Sequence, residues 1–153
     1  MTSFMRQINV ISRCATMFRA NKYKEKGLGI GAGHSSYIMI LCRRPGISQD
    51  ALAKRICVNK SNVTRHLAQL EKNGYVERKQ SETDKRVILV YPTEKAYAIV
   101  EEVRGISNEW KQYLMEEFSA DEIEMLTDML HRMAKKAADY AARELDGEDL
   151  TEL

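Results

Sequence analysis

The sequence predicts a mainly α-helical protein with one small β-ribbon near its centre. Three observations carry this. Helical periodicity dominates both ends of the 153-residue chain. Between them, residues 47–92 (ISQDALAKRICVNKSNVTRHLAQLEKNGYVERKQSETDKRVILVYP) read as a helix, a sharp turn, a second helix and a strand pair with a basic tip. Charge is also segregated. Counting Lys and Arg against Asp and Glu, residues 1–42 carry 6 and 1, residues 43–93 carry 11 and 5, and residues 94–153 carry 7 and 16. A basic centre joined to an acidic end suits a protein that attracts a polyanion at one end only.

Taken in order, residues 3–25 are expected to be helical, with Phe4, Ile8, Ile11, Ala15 and Phe18 on one stripe and Val10, Cys14 and Met17 beside it. So wide an apolar face must be covered on more than one side. The next stretch, KGLGIGAG over residues 26–33, has the alternating glycines of a phosphate cradle. No strand precedes it, however, and neither GxGxxG nor a GKS or GKT is met, so a flexible connector is expected. Residues 34–42 form a short buried helix, and residues 43–46 (RRPG) turn into the central module.

In that module Ser48 is placed to cap the first helix, with Asp50 in the first turn and Ile47 and Leu52 as a hydrophobic staple. Ile56, Cys57 and Val58 make the apolar turn, with Cys57 expected in the core. Asn59 caps the second helix and Asn73-Gly74 ends it. Residues 75–79 and 86–91 are the strands, with Val87, Leu89 and Tyr91 sharing a face by alternation, and the loop QSETDK is polar and exposed. This is the plan of a winged helix-turn-helix.

Thr93 is then expected to cap a helix whose inward positions are Tyr97, Val100, Val103 (or Arg104), Trp110 and Leu114, bent at Gly105. Ser119 and Glu122 form a capping box, with Phe118 and Ile123 as its staple. Ile123, Leu126, Leu130, Met133, Ala137 and Tyr140 follow at 3–4 spacing, a narrow seam suited to helix–helix packing. Residues 146–153 are acidic and expected to fray.

Composition narrows the function. A hydrophobic content of 44% belongs to a globular chain. With no 18-residue apolar run and no signal-peptide pattern, a cytoplasmic protein with no membrane partner is expected. Cys14, Cys42 and Cys57 are far apart and form no CxxC, so no disulfide framework or zinc site is implied. His34, His66 and His131 are scattered, with no HExxH and no GxSxG, so neither an enzyme nor a cofactor is expected.

The second central helix carries the functional signal. Val63, Leu67 and Leu70 recur at i, i+4, i+7 and point inward. The opposite face shows Lys60, Ser61, Asn62, Thr64, Arg65, His66 and Gln69, all hydrogen-bonding side chains and none a carboxylate. Such a face suits a polyanion that also offers donors and acceptors, as the major groove of DNA does. Ser61, Asn62, Thr64, Arg65, His66 and Gln69 are expected to face that groove, with Arg65 forming a bidentate guanine contact. Lys60, Lys72, Arg78 and Lys79 are expected to neutralise phosphates, Arg86 to read minor-groove width, and Lys85 to meet the backbone beside it.

The order ISQDALAKRI, NKSNVTRHLAQLEKNGYVER, TDKRVILVYPTEKA resembles the multiple-antibiotic-resistance regulator (MarR) family of bacterial transcription factors. Its most specific parts are VTRHLAQLEKNGYVER and the wing tip Asp84-Lys85-Arg86; Pro92 to Ala96 departs from the family's usual Leu-Thr and following Gly. The resemblance implies that Asp84 anchors the wing while Arg86 enters the minor groove. It also implies dimerisation through the N- and C-terminal helices, as their surplus apolar surface suggests independently, and hence a palindromic double-stranded operator. The expected organisation is residues 1–33 as dimerisation helix and linker, 34–92 as the DNA-binding domain, and 93–153 as linking and dimerisation helices. In this family DNA is released when small aromatic acids bind, or when a cysteine near the N-terminus is oxidised. The expectation is therefore a homodimeric repressor released by a small aromatic or anionic effector. The alternatives are a peroxide sensor at Cys14, with Tyr23 and Tyr37 nearby, and a winged helix that contacts protein alone.

Overall fold

The recognition-type helix of the central module sits where its sequence periodicity puts it. In the computed structural model, which describes residues 3–146, the elements run α1 (Phe4–Glu25), a 3₁₀ turn (Ala32–His34), α2 (Ser35–Arg43), β1 (Ile47–Ser48), α3 (Gln49–Ile56), α4 (Lys60–Lys72), β2 (Val76–Gln80), β3 (Ile88–Pro92), α5 (Glu94–Met115) and α6 (Ala120–Asp146). The expected class, mainly α with a small β-wing, is what is found. Residues 147–153, most of the acidic end expected to fray, lie outside the described residues.

The caps explain where the central helices start. Ser48 Oγ accepts the Ala51 N–H at 3.1 Å, and Asn59 Oδ1 accepts the Asn62 N–H at 2.9 Å. After α4, Gly74 takes φ +77°, which lets the chain reverse into β2. Val63, Leu67 and Leu70 are buried, as their spacing requires, and meet Ile38, Leu41, Leu52, Tyr75, Val76 and Val90 in one core.

The sheet has three antiparallel strands in the order β1–β3–β2, with Ile47 and Arg78 both opposite Val90. The third strand, β1, is only two residues long, too short for alternation to reveal it. The expected sharing of one face by Val87, Leu89 and Tyr91 is found, and the core lies on the opposite side. Val90 is fully buried, whereas Val87, Leu89 and Tyr91 lie on the other, half-covered face. Tyr91 closes over Gly46, where an added Cβ would stand 3.1 Å from its ring.

The glycine-rich stretch is not a loose connector. Leu28 and Ile30 are buried in the core, the Tyr75 hydroxyl donates to the Leu28 carbonyl, and Asn73 Nδ2 donates to the Gly29 carbonyl at 3.0 Å. It is a strap tied across the end of α4. The glycines let it bend, and the two aliphatic residues between them hold it down.

Other expectations are corrected. Cys57 is exposed, not core; it ends α3 in the left-handed conformation at φ +54°. Thr93 precedes α5 but does not cap it with its side chain, because its hydroxyl donates to the Gly74 carbonyl at 2.7 Å. Helix α5 runs unbroken through Gly105, and Ile106 joins Val103 and Ala96 in its buried stripe while Tyr97 is exposed. The capping box of α6 forms as read: Ser119 N–H donates to Glu122 Oε2 at 2.8 Å and Glu122 N–H to Ser119 Oγ at 3.3 Å. Hydrogen bonds from Ser119 hold the Glu122 carboxyl below its ordinary range.

Candidate nucleic-acid interface

The site is built on α4 because that helix is pinned from three sides. Its apolar stripe is buried, its N-terminus is capped by Asn59, which also accepts from Ser61 Oγ at 3.0 Å, and its C-terminal turn is clasped to β2. The clasp is Glu71. Its carboxylate accepts the Arg78 N–H at 3.0 Å, Nε at 3.1 Å and Nη2 at 2.7 Å. Those bonds hold the Glu71 carboxyl below its ordinary range.

The outward face of α4 exposes Ser61, Thr64, Arg65 and Gln69, with Asn62 at the margin. Thr64 Oγ1 donates back to the Lys60 carbonyl at 3.0 Å and accepts from Gln49 Nε2 at 3.5 Å. Arg65 Nη2 donates to Asn62 Oδ1 at 2.9 Å, which steadies an exposed guanidinium without neutralising it. Ala68, one turn from Thr64, is exposed on the same face, and a pattern of hydrogen-bonding side chains does not flag so small an apolar residue. Its methyl is the size that packs on a thymine methyl. Gln49, at the start of α3, also joins this surface through Thr64.

Three residues assigned to this surface from sequence also make contacts within the molecule. His66 is half-buried on the flank of α4, tilted against Tyr37 at 5.3 Å and edge-on to His34 at 5.2 Å. Burial, and then Arg65 beside it, hold its imidazole below the ordinary 6.5. Arg78 is committed to Glu71, so its charge is neutralised inside the molecule and its part is to brace the wing. Lys60 Nζ is paired with Asp50 at 3.0 Å, both groups being exposed. Lys72 is exposed as expected, and Lys79 stands over the Tyr91 ring at 5.4 Å and 3.2 Å from Glu77.

The wing tip is ordered by one carboxylate. Asp84 Oδ1 accepts the Arg86 N–H at 3.0 Å and Arg86 Nε at 3.3 Å, while the Asp84 carbonyl accepts the Val87 N–H at 2.9 Å. Ser81 Oγ accepts the Thr83 and Asp84 N–H groups at 3.3 and 3.5 Å. The loop is thus tied from within, and the Arg86 side chain is left 92% exposed, beside an exposed Lys85. A small groove between this tip and the start of α3 is lined by Ser48, Gln49, Asp50, Arg86, Val87 and Ile88.

Among the described residues, no group of three or more His, Cys, Asp or Glu is disposed to hold a metal ion. None of their helices is long and apolar enough to cross a membrane.

Comparison with known proteins agrees with this geometry. The family model for the MarR family matches residues 33–88, from the end of the strap to the first residue of β3. The HTH-type transcriptional regulator YybA of Bacillus subtilis is 26% identical over 135 residues, spanning 88% of this chain and 89% of the relative. Among solved structures, a SlyA-like transcription regulator from Listeria monocytogenes superposes with a TM-score of 0.87 at 27% identity, covering 99% of this chain and 100% of the other. A MarR family regulator from the same organism, complexed with a 26mer DNA, has a TM-score of 0.83 at 27% identity, with the same coverage. Residues 33–88 thus carry a MarR family match, and the chain as a whole shares the fold of SlyA- and MarR-type transcriptional regulators.

Proposed function

We propose that the protein binds a palindromic operator in double-stranded DNA as a homodimer, represses transcription there, and is released by a small aromatic or anionic effector. The observation that carries the DNA reading is the exposed face of α4. It offers Ser61, Asn62, Thr64, Arg65 and Gln69 without a carboxylate, and Arg86 stands out from a wing braced by Asp84. The Listeria relative of the same fold holds DNA, which supports the same use here. Dimerisation is supported by α1 and α6, which expose Phe4, Met5, Val10, Ile11, Met125, Met129 and Leu130. Effector release is supported by three buried donors that lack partners, Arg19 Nε and the Tyr23 and Tyr37 hydroxyls. Donors left in this way favour an acceptor-rich, anionic guest. The protein is proposed to work in the cytoplasm, where its DNA is.

A peroxide sensor at Cys14 has less behind it. The thiol is half-buried in a groove with Met17, Phe18, Asn21, Trp110 and Tyr113, where packing accounts for it.

The test is fluorescence anisotropy on the DNA upstream of the protein's own coding sequence and on a random duplex, across a salt series. A preference of about 10³-fold or more with a steep salt slope is expected. Weak, salt-independent binding to both would instead assign the winged module to a protein partner.

A further inference from the structure

His34 is the buried polar side chain of this structure, 2% exposed among the described residues. It closes the 3₁₀ turn at the end of the strap, and its Nδ1 accepts the Gly31 N–H at 3.0 Å. That bond requires an unprotonated Nδ1, since an imidazolium has two donors and no acceptor. From the other side comes His66 of α4, edge-on at 5.2 Å with the rings 86° apart. His66 Cε1 also lies over the backbone of Gly33, 3.6 Å from where a Cβ would stand. The recognition helix therefore rests on the strap through two imidazoles, one of them next in sequence to Arg65.

We propose that this His34–His66 contact is a proton-sensitive strut: it positions α4 when both rings are neutral, and its protonation lowers the affinity of the protein for DNA. The proposal rests on the DNA-binding reading above. His34 is a positioning residue, acting on the DNA surface only through His66.

The surroundings make the contact one-sided. The titratable groups acting on the pair are the His66 ring on His34, Arg65 of α4 on His66 and, beside His66, the Tyr37 ring from α2. From α1, which packs on the same turn, the buried titratable atoms are Arg19 Nε and the Tyr23 hydroxyl. None of these is an anion at neutral pH, so a proton on either ring finds no counter-charge. It meets a second imidazole and a guanidinium, and at His34 it also removes the acceptor of Gly31. Burial first and the neighbouring ring or guanidinium second hold both imidazoles below the ordinary 6.5. Both are therefore neutral at pH 7, and the strut fails only as pH falls below 6.5.

The direction separates this from ordinary electrostatics. A surface histidine near phosphates gains charge in acid and tightens binding; the strut predicts the reverse. The experiment is anisotropy on the preferred duplex from about pH 8 to about pH 5.5 at fixed ionic strength, for the wild type and His34→Asn. Asn keeps an acceptor for Gly31 but cannot titrate in this range. The expected result is a roughly tenfold loss of affinity for the wild type in acid, of the size usual for coupled sites, and a much smaller loss for His34→Asn. Affinity that is flat or rises in acid, or falls equally in both proteins, overturns the strut while leaving DNA binding intact. No binding at any pH overturns both readings. If His34→Asn does not fold, the Gly31 amide resonance of the wild type decides between the outcomes: it must shift with the midpoint of the affinity loss, and a resonance that does not move refutes the mechanism.

Discussion

Arg65 and Lys79 carry the same charge in different settings, and the proposed interface gives them different work. Arg65 stands on the exposed face of α4, its guanidinium steadied by Asn62 at 2.9 Å. A planar fork held in this way matches the paired acceptors of guanine. Lys79 projects from β2, over the Tyr91 ring and near Glu77. A point charge on a flexible stem there meets phosphate, which carries no sequence information. Arg65→Ala should cost about 1–3 kcal/mol on the preferred duplex and relax specificity, whereas Lys79→Ala should weaken all sequences alike and lower the salt slope by about one. Anisotropy on preferred and random duplexes reads both. Equal losses on the two duplexes for both variants would refute the division.

The elements that support those residues depend on clasps, of which Glu71–Arg78 between α4 and β2 is the most fully bonded. Its side chains are 38% and 25% exposed, so solvent weakens the pair and Glu71→Gln should cost no more than about 1 kcal/mol near neutral pH. The sign with pH follows from the depressed Glu71 carboxyl. A folded-state value below the ordinary 4.5 contributes stability that is present above that value and disappears as pH falls beneath it. Urea midpoints for wild type and variant should therefore differ near neutrality and converge in acid; a gap that widens in acid would contradict the clasp. Much of this level is legible in the sequence. The α4 stripe, the Ser48 and Asn59 caps and the Ser119–Glu122 box each rest on local rules that the whole fold leaves unchanged. The misreadings have a common cause, which is contact distant in sequence. Leu28 and Ile30 look like spacers between glycines until Tyr75 and Asn73, more than forty positions away, tie them down. That His34 and Tyr37 stand beside His66 is likewise invisible to any local rule.

At the scale of the molecule, the described chain leaves uncovered what a domain of this size normally buries. Helix α6 is 27 residues long and exposes Met125, Met129, Leu130, Met133 and Tyr140, while α1 exposes Phe4, Met5, Val10, Ile11 and Met17. Large exposed apolar surfaces mark an interface. Charge along α6 favours a second copy as the cover. Residues 120–130 hold Asp121, Glu122, Glu124 and Asp128 with no Lys or Arg, and residues 131–143 hold Arg132, Lys135, Lys136 and Arg143 against Asp139 alone. An antiparallel partner related by a two-fold axis would set the acidic half of one helix beside the basic half of the other. The double variant Leu130→Glu, Met133→Glu puts two charges into the centre of that seam. Sedimentation velocity should show a dimer for the wild type and a monomer for the variant. With one winged module per particle, the variant should contact about half as many phosphates, so its salt slope on operator DNA should fall by roughly half. A variant that stays dimeric, or a wild type that is monomeric at micromolar concentration, would remove α6 from the interface. The two measurements together also separate fold from assembly, because Leu130 and Met133 lie outside the buried core and a monomeric variant should keep the helical content of the parent.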